Sequence, residues 1–151
     1  MTDANREFLR EWLPWLDATT SVEDTRAFIE EQLSDFAKGE AVHVTIFWNG
    51  VVAGAAGYTI DTVNKIGSIG YWLASEYTGH GIMTAVVSDL VLMAREDLGL
   101  QKVAIKCAAR NHKSRVIPKR LGFAHEGTLR RAQRQYDRWL DHEIYALLID
   151  H

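Results

Sequence analysis

Residues 77–84 read YTGHGIMT and lie between a β-rich run, IGSIGYWLA (66–74), and a run with helical periodicity, AVVSDLVLMAREDLGL (85–100). Two glycines one residue apart therefore mark a strand-to-helix turn. Glycine permits a tight turn, and it also lets a ligand approach the backbone N–H groups that a first helical turn leaves unpaired. A dinucleotide fingerprint would need a glycine where Thr84 stands, and a Walker loop would need Gly-Lys-Ser/Thr, so this segment alone leaves both interpretations open.

The segments around this turn predict a mixed sheet. VHVTIFW (42–48) and VVAGAAGYTI (51–60) are joined by Asn-Gly, the strongest short-range hairpin signal. Residues 66–74 then predict a third antiparallel strand. The helical face after the glycines extends to Leu98, and KVAIKCA (102–108) reads as a strand, so we expect one parallel crossover here.

The remaining elements complete an α/β domain. Ser21 begins a helix with a capping-box pattern, SVED. A short helix is predicted over 112–121, where Pro118 is compatible only with the first turns or with a kink. A strand after Gly122-Phe123 and a last one at 141–150 follow. We expect one domain over 1–151, with a mostly antiparallel sheet, one parallel strand pair and helices on both faces.

Composition excludes several classes of protein. The 151 residues carry a net charge of −3, which gives no reason to expect direct nucleic-acid binding. No run of about 18 apolar residues is present, and the charged start MTDANREFLREW does not resemble a signal peptide, so we expect no membrane span and a cytoplasmic location. Six histidines without a ligand-like spacing, and the lone Cys107, predict no metal site.

A second segment, ARNHKSRVIPKRLGFAHEG (109–127), makes the pattern more specific. Together with IGYWLA, GIMT, EGTLR and DHEIYALL it resembles the GNAT superfamily of N-acetyltransferases. Within that superfamily it is most similar to the branch that acetylates ribosomal proteins at N-terminal serine or alanine. The resemblance covers roughly residues 5–150.

The resemblance implies acetyl-CoA as cosubstrate, without a metal. The cofactor would lie where the parallel strands 66–74 and 102–108 splay apart, with its pantetheine arm along the first strand and its pyrophosphate on the N–H groups of the glycine turn. The residues that the resemblance assigns to cofactor binding are Leu73, Ala74, Thr78, Gly79, His80, Gly81, Ile82, Met83, Thr84, Asn111 and Ser114.

The resemblance also implies the chemistry, in which an amine attacks the thioester carbonyl directly. Many members of the superfamily use a tyrosine acid where Pro118 stands, whereas in the ribosomal branch a serine is thought to serve. Ser114 is therefore the candidate that protonates or hydrogen-bonds the leaving thiolate, with Asn111 beside it. The alternative is that Ser114 only caps the short helix. Cys107 is either near the acetyl group or simply a small buried strand residue.

Three departures from the branch bear on function. Gln133 stands where relatives often carry a glutamate that is a proposed general base, and Thr78 replaces a longer Gln or Arg. The chain begins at what would be the first helix, so a first strand is expected to be missing and the exposed edge predicts a possible homodimer.

These departures leave three functions open. The first is acetylation of the α-amine at a peptide or protein N-terminus, most similar to ribosomal-protein acetylation. The second is a degenerate member that binds CoA or a protein without turnover. The third is acetylation of a small-molecule amine, which an acidic acceptor pocket would favour.

Overall fold

The computed structural model describes residues 21–150, which form a six-stranded sheet with three helices. The helices are α1 (Val22–Ala37), α2 (Ile82–Glu96) and α3 (His112–Arg120). The strands are β1 (Ala41–Trp48), β2 (Val51–Asp61), β3 (Ile66–Leu73), β4 (Lys102–Ala108), β5 (Ala124–Gln135) and β6 (Arg138–Leu148). Their order in the sheet is β1-β2-β3-β4-β6-β5, and β3 with β4 is the parallel pair among the described strands. The predicted mixed sheet is confirmed.

Local signals explain the first elements. Asn49 and Gly50 join β1 to β2 with φ of 49° and 78°, as a two-residue hairpin turn with two left-handed residues requires. The capping box at the start of α1 is also present. Ser21 Oγ accepts from the Asp24 N–H at 3.1 Å, and the Asp24 carboxylate accepts from the Ser21 N–H at 3.2 Å.

The parallel pair separates along its length. β3 and β4 pair over four positions, from Ile66 opposite Lys102 to Ile69 opposite Ile105. Beyond that point β3 continues to Leu73 beside β2, and β4 continues to Ala108 beside β6. The splay implied by the resemblance is therefore present, and it opens toward the glycine turn that precedes α2.

The helices cover both faces of the sheet. On one face α2 and α3 pack over a core in which Val87, Val103, Ile105 and Tyr145 are almost fully buried. The other face carries His43, whose ring contacts that of Phe28 on α1 with centroids 5.4 Å apart. We call this second face the α1 face.

The C-terminal elements differ from the expected bounds. β6 begins at Arg138, three residues before the predicted start at 141, because Tyr136 adopts a φ of 53° and closes a tight turn with β5. Pro118 lies seventh in α3, in its second turn, and is buried. The predictions for the chain before Ser21 lie outside the described residues. None of the described helices is long and apolar enough to cross a membrane.

Candidate active site

The glycine turn between β3 and α2 fits both interpretations of YTGHGIMT: it is a tight turn, and it leaves backbone N–H groups accessible to a ligand. Gly79 and Gly81 have φ of 83° and 73°, a conformation that side chains disfavour. A Cβ added at either glycine would meet no atom of residues 21–150 within 4 Å, so within this part of the chain the turn is bordered by open space. Gly81 is the N-cap of α2 and has no side chain with which to cap the first-turn N–H groups. Their partial positive charge suits an anion in that space.

We expect Gly81→Ala to weaken acetyl-CoA binding as well as stability. The left-handed φ disfavours an L side chain by about 1–2 kcal/mol, and the new methyl group would project into the space beside the turn. Gly39→Ala is the matched control, since Gly39 has a φ of 74° and equally open surroundings but ends α1. Thermal melts should show similar losses for both variants, and calorimetry should show a weaker Kd for Gly81→Ala alone. Equal affinities would contradict the binding role.

The other predicted residues of the turn contribute in different ways. Ile82 and Met83 bury their side chains in the core, which leaves only their backbone at the turn. The Thr78 hydroxyl donates to Ser75 O at 2.7 Å and so lies against the preceding 3-10 turn, Ser75–Tyr77. The His80 ring is exposed and stacks on Trp48 with centroids 6.2 Å apart. Thr84 is half-buried in the first turn of α2.

The backbone N–H and C=O groups of Leu73 and Ala74, the predicted contacts of the pantetheine arm, point in opposite directions. The Ala74 N–H donates to Ala53 O of β2 at 2.8 Å, and so it does not point into the splay. Backbone groups alternate in direction along an antiparallel pair, so the N–H and C=O of Leu73 face away from β2, toward β4. Leu73, and not Ala74, therefore presents its backbone N–H and C=O to the splay.

Asn111, and not Ser114, is the N-cap of α3. Asn111 Oδ1 accepts from the Ser114 N–H at 3.2 Å, so the alternative in which Ser114 serves as the cap is wrong. The helix is fixed on the sheet by Arg115, which donates to Tyr145 Oη at 3.0 Å and to Ala109 O at 2.9 Å. Asn111 thereby holds the first turn of α3 beside the end of β4, and the Ser114 hydroxyl is left for other contacts.

The Ser114 side chain contacts Tyr71, which sequence reasoning missed. Ser114 Oγ donates to Tyr71 Oη at 3.2 Å, and the Tyr71 hydroxyl donates to Ser114 O at 2.9 Å. This second bond explains how Pro118 is tolerated, because proline has no N–H to offer the carbonyl four residues earlier. Burial raises the pKa of Tyr71 well above its ordinary value, so its hydroxyl remains a donor. Tyr71 lies on β3 two residues beyond Ile69, the last residue paired with β4, so its bonds to Ser114 connect the two sides of the opening.

Cys107 belongs to the core. It is 7% exposed, and burial raises the pKa of its thiol to about 11, although nearby Arg115 and Ser114 oppose that shift. The thiol therefore stays protonated at neutral pH and is a weak nucleophile. This environment favours the interpretation of Cys107 as a small buried strand residue.

On the α1 face, an irregularity in β5 positions Gln133. Between Leu129 and Gln133 β5 advances four residues, while β6 advances two, from His142 to Leu140, so β5 carries two extra residues. The Arg131 N–H inside this bulge donates to Asp141 Oδ1 at 2.7 Å. The bulge brings Gln133 Oε1 to 2.8 Å from His142 Nε2. The position of the expected glutamate is therefore paired with a histidine.

His142 and Tyr71 both lie within sequence motifs that carry the family resemblance, DHEIYALL and IGYWLA. Neither contact follows from those phrases, because the partners lie on other elements. Among residues 21–150 no group of acidic, histidine or cysteine side chains is arranged to hold a metal ion.

A sheet that splays open beside an uncapped helix N-terminus offers a strand edge for an extended amide arm and N–H donors for a pyrophosphate, which are the two parts of coenzyme A. Comparison with known proteins agrees. The profile of the acetyltransferase (GNAT) domain matches residues 2–124. The ribosomal-protein-serine acetyltransferase of Escherichia coli (strain K12) is 31% identical over 147 residues, which are 97% of this chain and 82% of that protein. The Bacillus subtilis (strain 168) protein YdaF is 34% identical over 128 residues, 83% of this chain and 70% of its own length.

Solved structures give the same answer. The microcin C7 self-immunity acetyltransferase MccE, crystallised with acetyl-CoA and AMP, superimposes with a TM-score of 0.92 at 28% identity, over 97% of this chain and 82% of its own. RimL, a ribosomal α-N-protein acetyltransferase in complex with coenzyme A, gives 0.87 at 30% identity, over 97% and 83%. The chain belongs to the GNAT acetyltransferase family and is an acetyl-CoA-dependent N-acetyltransferase.

Proposed function

We propose that this enzyme acetylates the N-terminal α-amine of a protein, with a ribosomal protein as the acceptor class. The observation that carries the proposal is the chemistry of the α1 face beside the splay. The sheet register places Trp72, Lys106, Ala108, Gln133 and His142 on this face. None of these five is a carboxylate, and Lys106 is a cation.

Such a surface disfavours acceptors that arrive strongly charged. An α-amine has a reference pKa of ~7.7–8.0 and is roughly 10–15% neutral at pH 7, whereas a lysine with a pKa of ~10.4 is about 0.04% neutral. With no carboxylate base among these five residues, freeing the amine costs about 1.4 kcal/mol or less for the α-amine and nearly 5 kcal/mol for lysine. A polyamine would also meet repulsion from Lys106. The α-amine is thus the acceptor that best suits this site.

In the proposed reaction the glycine turn holds the pyrophosphate and Leu73 aligns the pantetheine arm. The neutral amine attacks the thioester carbonyl from the α1 face, the C–N bond forms and the C–S bond breaks. Ser114, on the opposite face of the sheet, turns its single hydroxyl proton from Tyr71 Oη to the sulfur and donates a hydrogen bond as negative charge develops there. Tyr71 and Asn111 hold Ser114 in place through its side chain and its backbone.

The test uses three peptides of one sequence with acetyl-CoA, followed by thiol release and by mass spectrometry of the product. The first begins with a free serine, the second has a blocked N-terminus and an internal lysine, and the third is blocked without lysine. We expect turnover with the first peptide alone. Acetylation of the lysine peptide at a comparable kcat/KM would contradict the α-amine proposal.

A small-molecule amine is the second candidate, and the likeness to MccE with its bound AMP is the observation that favours it. Calorimetry with AMP, in the presence of CoA, separates the two. AMP binding together with inert peptides would favour the small-molecule acceptor.

Two further expectations belong with this proposal. A protein acceptor of the ribosomal class places the enzyme in the cytoplasm. A homodimer that covers the edge strand β1 also stays a prediction, and sedimentation analysis that returned a monomer would contradict it.

A further inference from the structure

The His142–Gln133 pair lies one strand away from the splay. His142 is directly opposite Ala108, the last residue of β4, where β4 no longer pairs with β3. Directly opposed side chains have Cβ atoms about 4.5–5.5 Å apart, and alanine presents only a methyl group. The imidazole therefore borders the opening, on the α1 face from which the acceptor approaches.

The hydrogen bond with Gln133 defines which ring nitrogen is basic. Because Gln133 Oε1 accepts at 2.8 Å, His142 Nε2 carries the proton and Nδ1 keeps its lone pair. Nδ1 is buried and has no hydrogen-bond partner among residues 21–150. A buried nitrogen lone pair without a hydrogen-bond donor is unfavourable by about 1–3 kcal/mol. An N–H group of the bound substrate amine would relieve that cost.

The surroundings keep the ring neutral. Burial, and then Lys106, lower the pKa of His142 below its ordinary value of 6.5. Of the side chains that face it from the neighbouring strands, β4 contributes Ala108 and Lys106, and β5 contributes Leu129 and Gln133. Lys106 is the charged member of this set, and a cation disfavours imidazolium.

We propose that His142 is the general base of this enzyme, with Gln133 as the positioning residue that fixes the tautomer of His142. This inference rests on the proposed function. Nδ1 of His142 accepts one proton from the ammonium of the acceptor, directly or through one water. The neutral nitrogen bonds to the carbonyl carbon, the C–S bond breaks, and the second nitrogen-bound proton is lost as the thiolate gains one. One amide, one thiol and one proton released to solvent result from each ammonium and thioester consumed.

This role explains why glutamine is acceptable where a carboxylate was expected. A carboxylate at position 133 would itself be the base, whereas an amide oxygen can only accept the imidazole N–H. The two-residue bulge and its Asp141 bond aim that oxygen at Nε2. The base has therefore moved from β5 to β6.

The test is the pH dependence of kcat/KM for the serine peptide with His142→Gln, with His43→Gln as the matched control. His43 lies on the same face and burial likewise lowers its pKa, but it is on β1, far across the sheet. In the wild type we expect an acidic limb of the pH profile, in which kcat/KM rises with pH and levels off with an apparent pKa below 6.5. In His142→Gln the limb should move to ~7.7–8.0, the pKa of the α-amine itself, with about a tenfold loss at pH 7 that disappears near pH 9. His43→Gln should keep the wild-type limb.

An unchanged limb, or an equal loss at every pH, would overturn the inference, because a merely structural role predicts the latter. Calorimetric acetyl-CoA binding checks that His142→Gln is folded. If that variant does not fold, the nitrogen-15 shifts of the wild-type imidazole decide.

A measurement without acceptor separates this inference from the proposed function. Nitrogen-15 shifts of the imidazole should show Nε2 protonated and Nδ1 bare at pH 7. A proton on Nδ1 would overturn the inference even if the serine peptide is acetylated. Failure of the wild type to acetylate any peptide would overturn the α-amine proposal while the tautomer still tests His142.

Discussion

Ser114→Ala is expected to lower kcat for the serine peptide by about 10²-fold, with little change in the Kd of acetyl-CoA. General acid contributions typically span 10²–10⁴, and a thiol with a pKa near ~8.5 leaves readily enough to place this one at the lower end. The pyrophosphate and pantetheine contacts are expected on backbone groups at a distance from the Ser114 hydroxyl, so binding should persist. The measurement is kcat at saturating peptide and acetyl-CoA, beside calorimetric Kd values.

Two variants make the result specific to the hydroxyl. Ser114→Thr keeps a hydroxyl at the same position and should recover part of kcat. Ser88→Ala removes an exposed hydroxyl from α2 and should leave kcat unchanged. If Ser114→Ala stays within threefold of the wild type, the thiolate leaves without help from Ser114, and the serine is only part of the contact between α3 and Tyr71.

Much of the fold was predictable because its signals are local. The Asn-Gly turn requires left-handed φ values at both residues, the capping box closes within four residues of Ser21, and the strand-glycine-helix-strand order permits little besides a parallel crossover. The position of the splay and the glycine turn followed from the family resemblance, and the structure shows both.

The C-terminal hairpin was less predictable. RRAQRQ, within β5, has no alternation of apolar and polar residues, because this strand lies at the sheet edge and its two-residue bulge shifts the register. Tyr136 adopts the left-handed turn conformation without the glycine or asparagine that usually signals one. The start of β6 was therefore expected three residues late.

The contacts that define the candidate site are long-range and could not be read from spacing. Tyr71 and Ser114 are 43 residues apart, and the bond between them depends on how α3 sits over the sheet. The bond between Gln133 and His142 depends on the bulge. Pro118 was a visible signal, since a proline inside a helix always leaves one carbonyl in need of a donor, but nothing in the sequence named that donor.

Tyr71→Phe is expected to destabilise the protein by about 1–3 kcal/mol and to lower kcat by about tenfold. The phenylalanine ring fills the same space, but the Ser114 carbonyl loses its donor and Ser114 Oγ loses its acceptor. An unpaired, half-buried carbonyl accounts for the loss of stability. A Ser114 side chain free to rotate accounts for the loss of kcat, because fewer molecules present the hydroxyl to the thiolate. Chemical denaturation and steady-state kinetics measure the two effects.

The double variant Tyr71→Phe with Pro118→Ala separates the two bonds. An alanine at position 118 restores an N–H that can donate to the Ser114 carbonyl within α3. Tyr71→Phe should therefore lower the free energy of unfolding by about 1 kcal/mol less in the Pro118→Ala background than in the wild type. Because Pro118 is buried, Pro118→Ala alone provides the reference for the small cavity it leaves. The restored N–H offers nothing to Ser114 Oγ, so kcat should stay low while stability recovers. Recovery of both would mean that Tyr71 supports the reaction only through the helix backbone, and recovery of neither would mean that the tyrosine hydroxyl does not replace the N–H that Pro118 lacks.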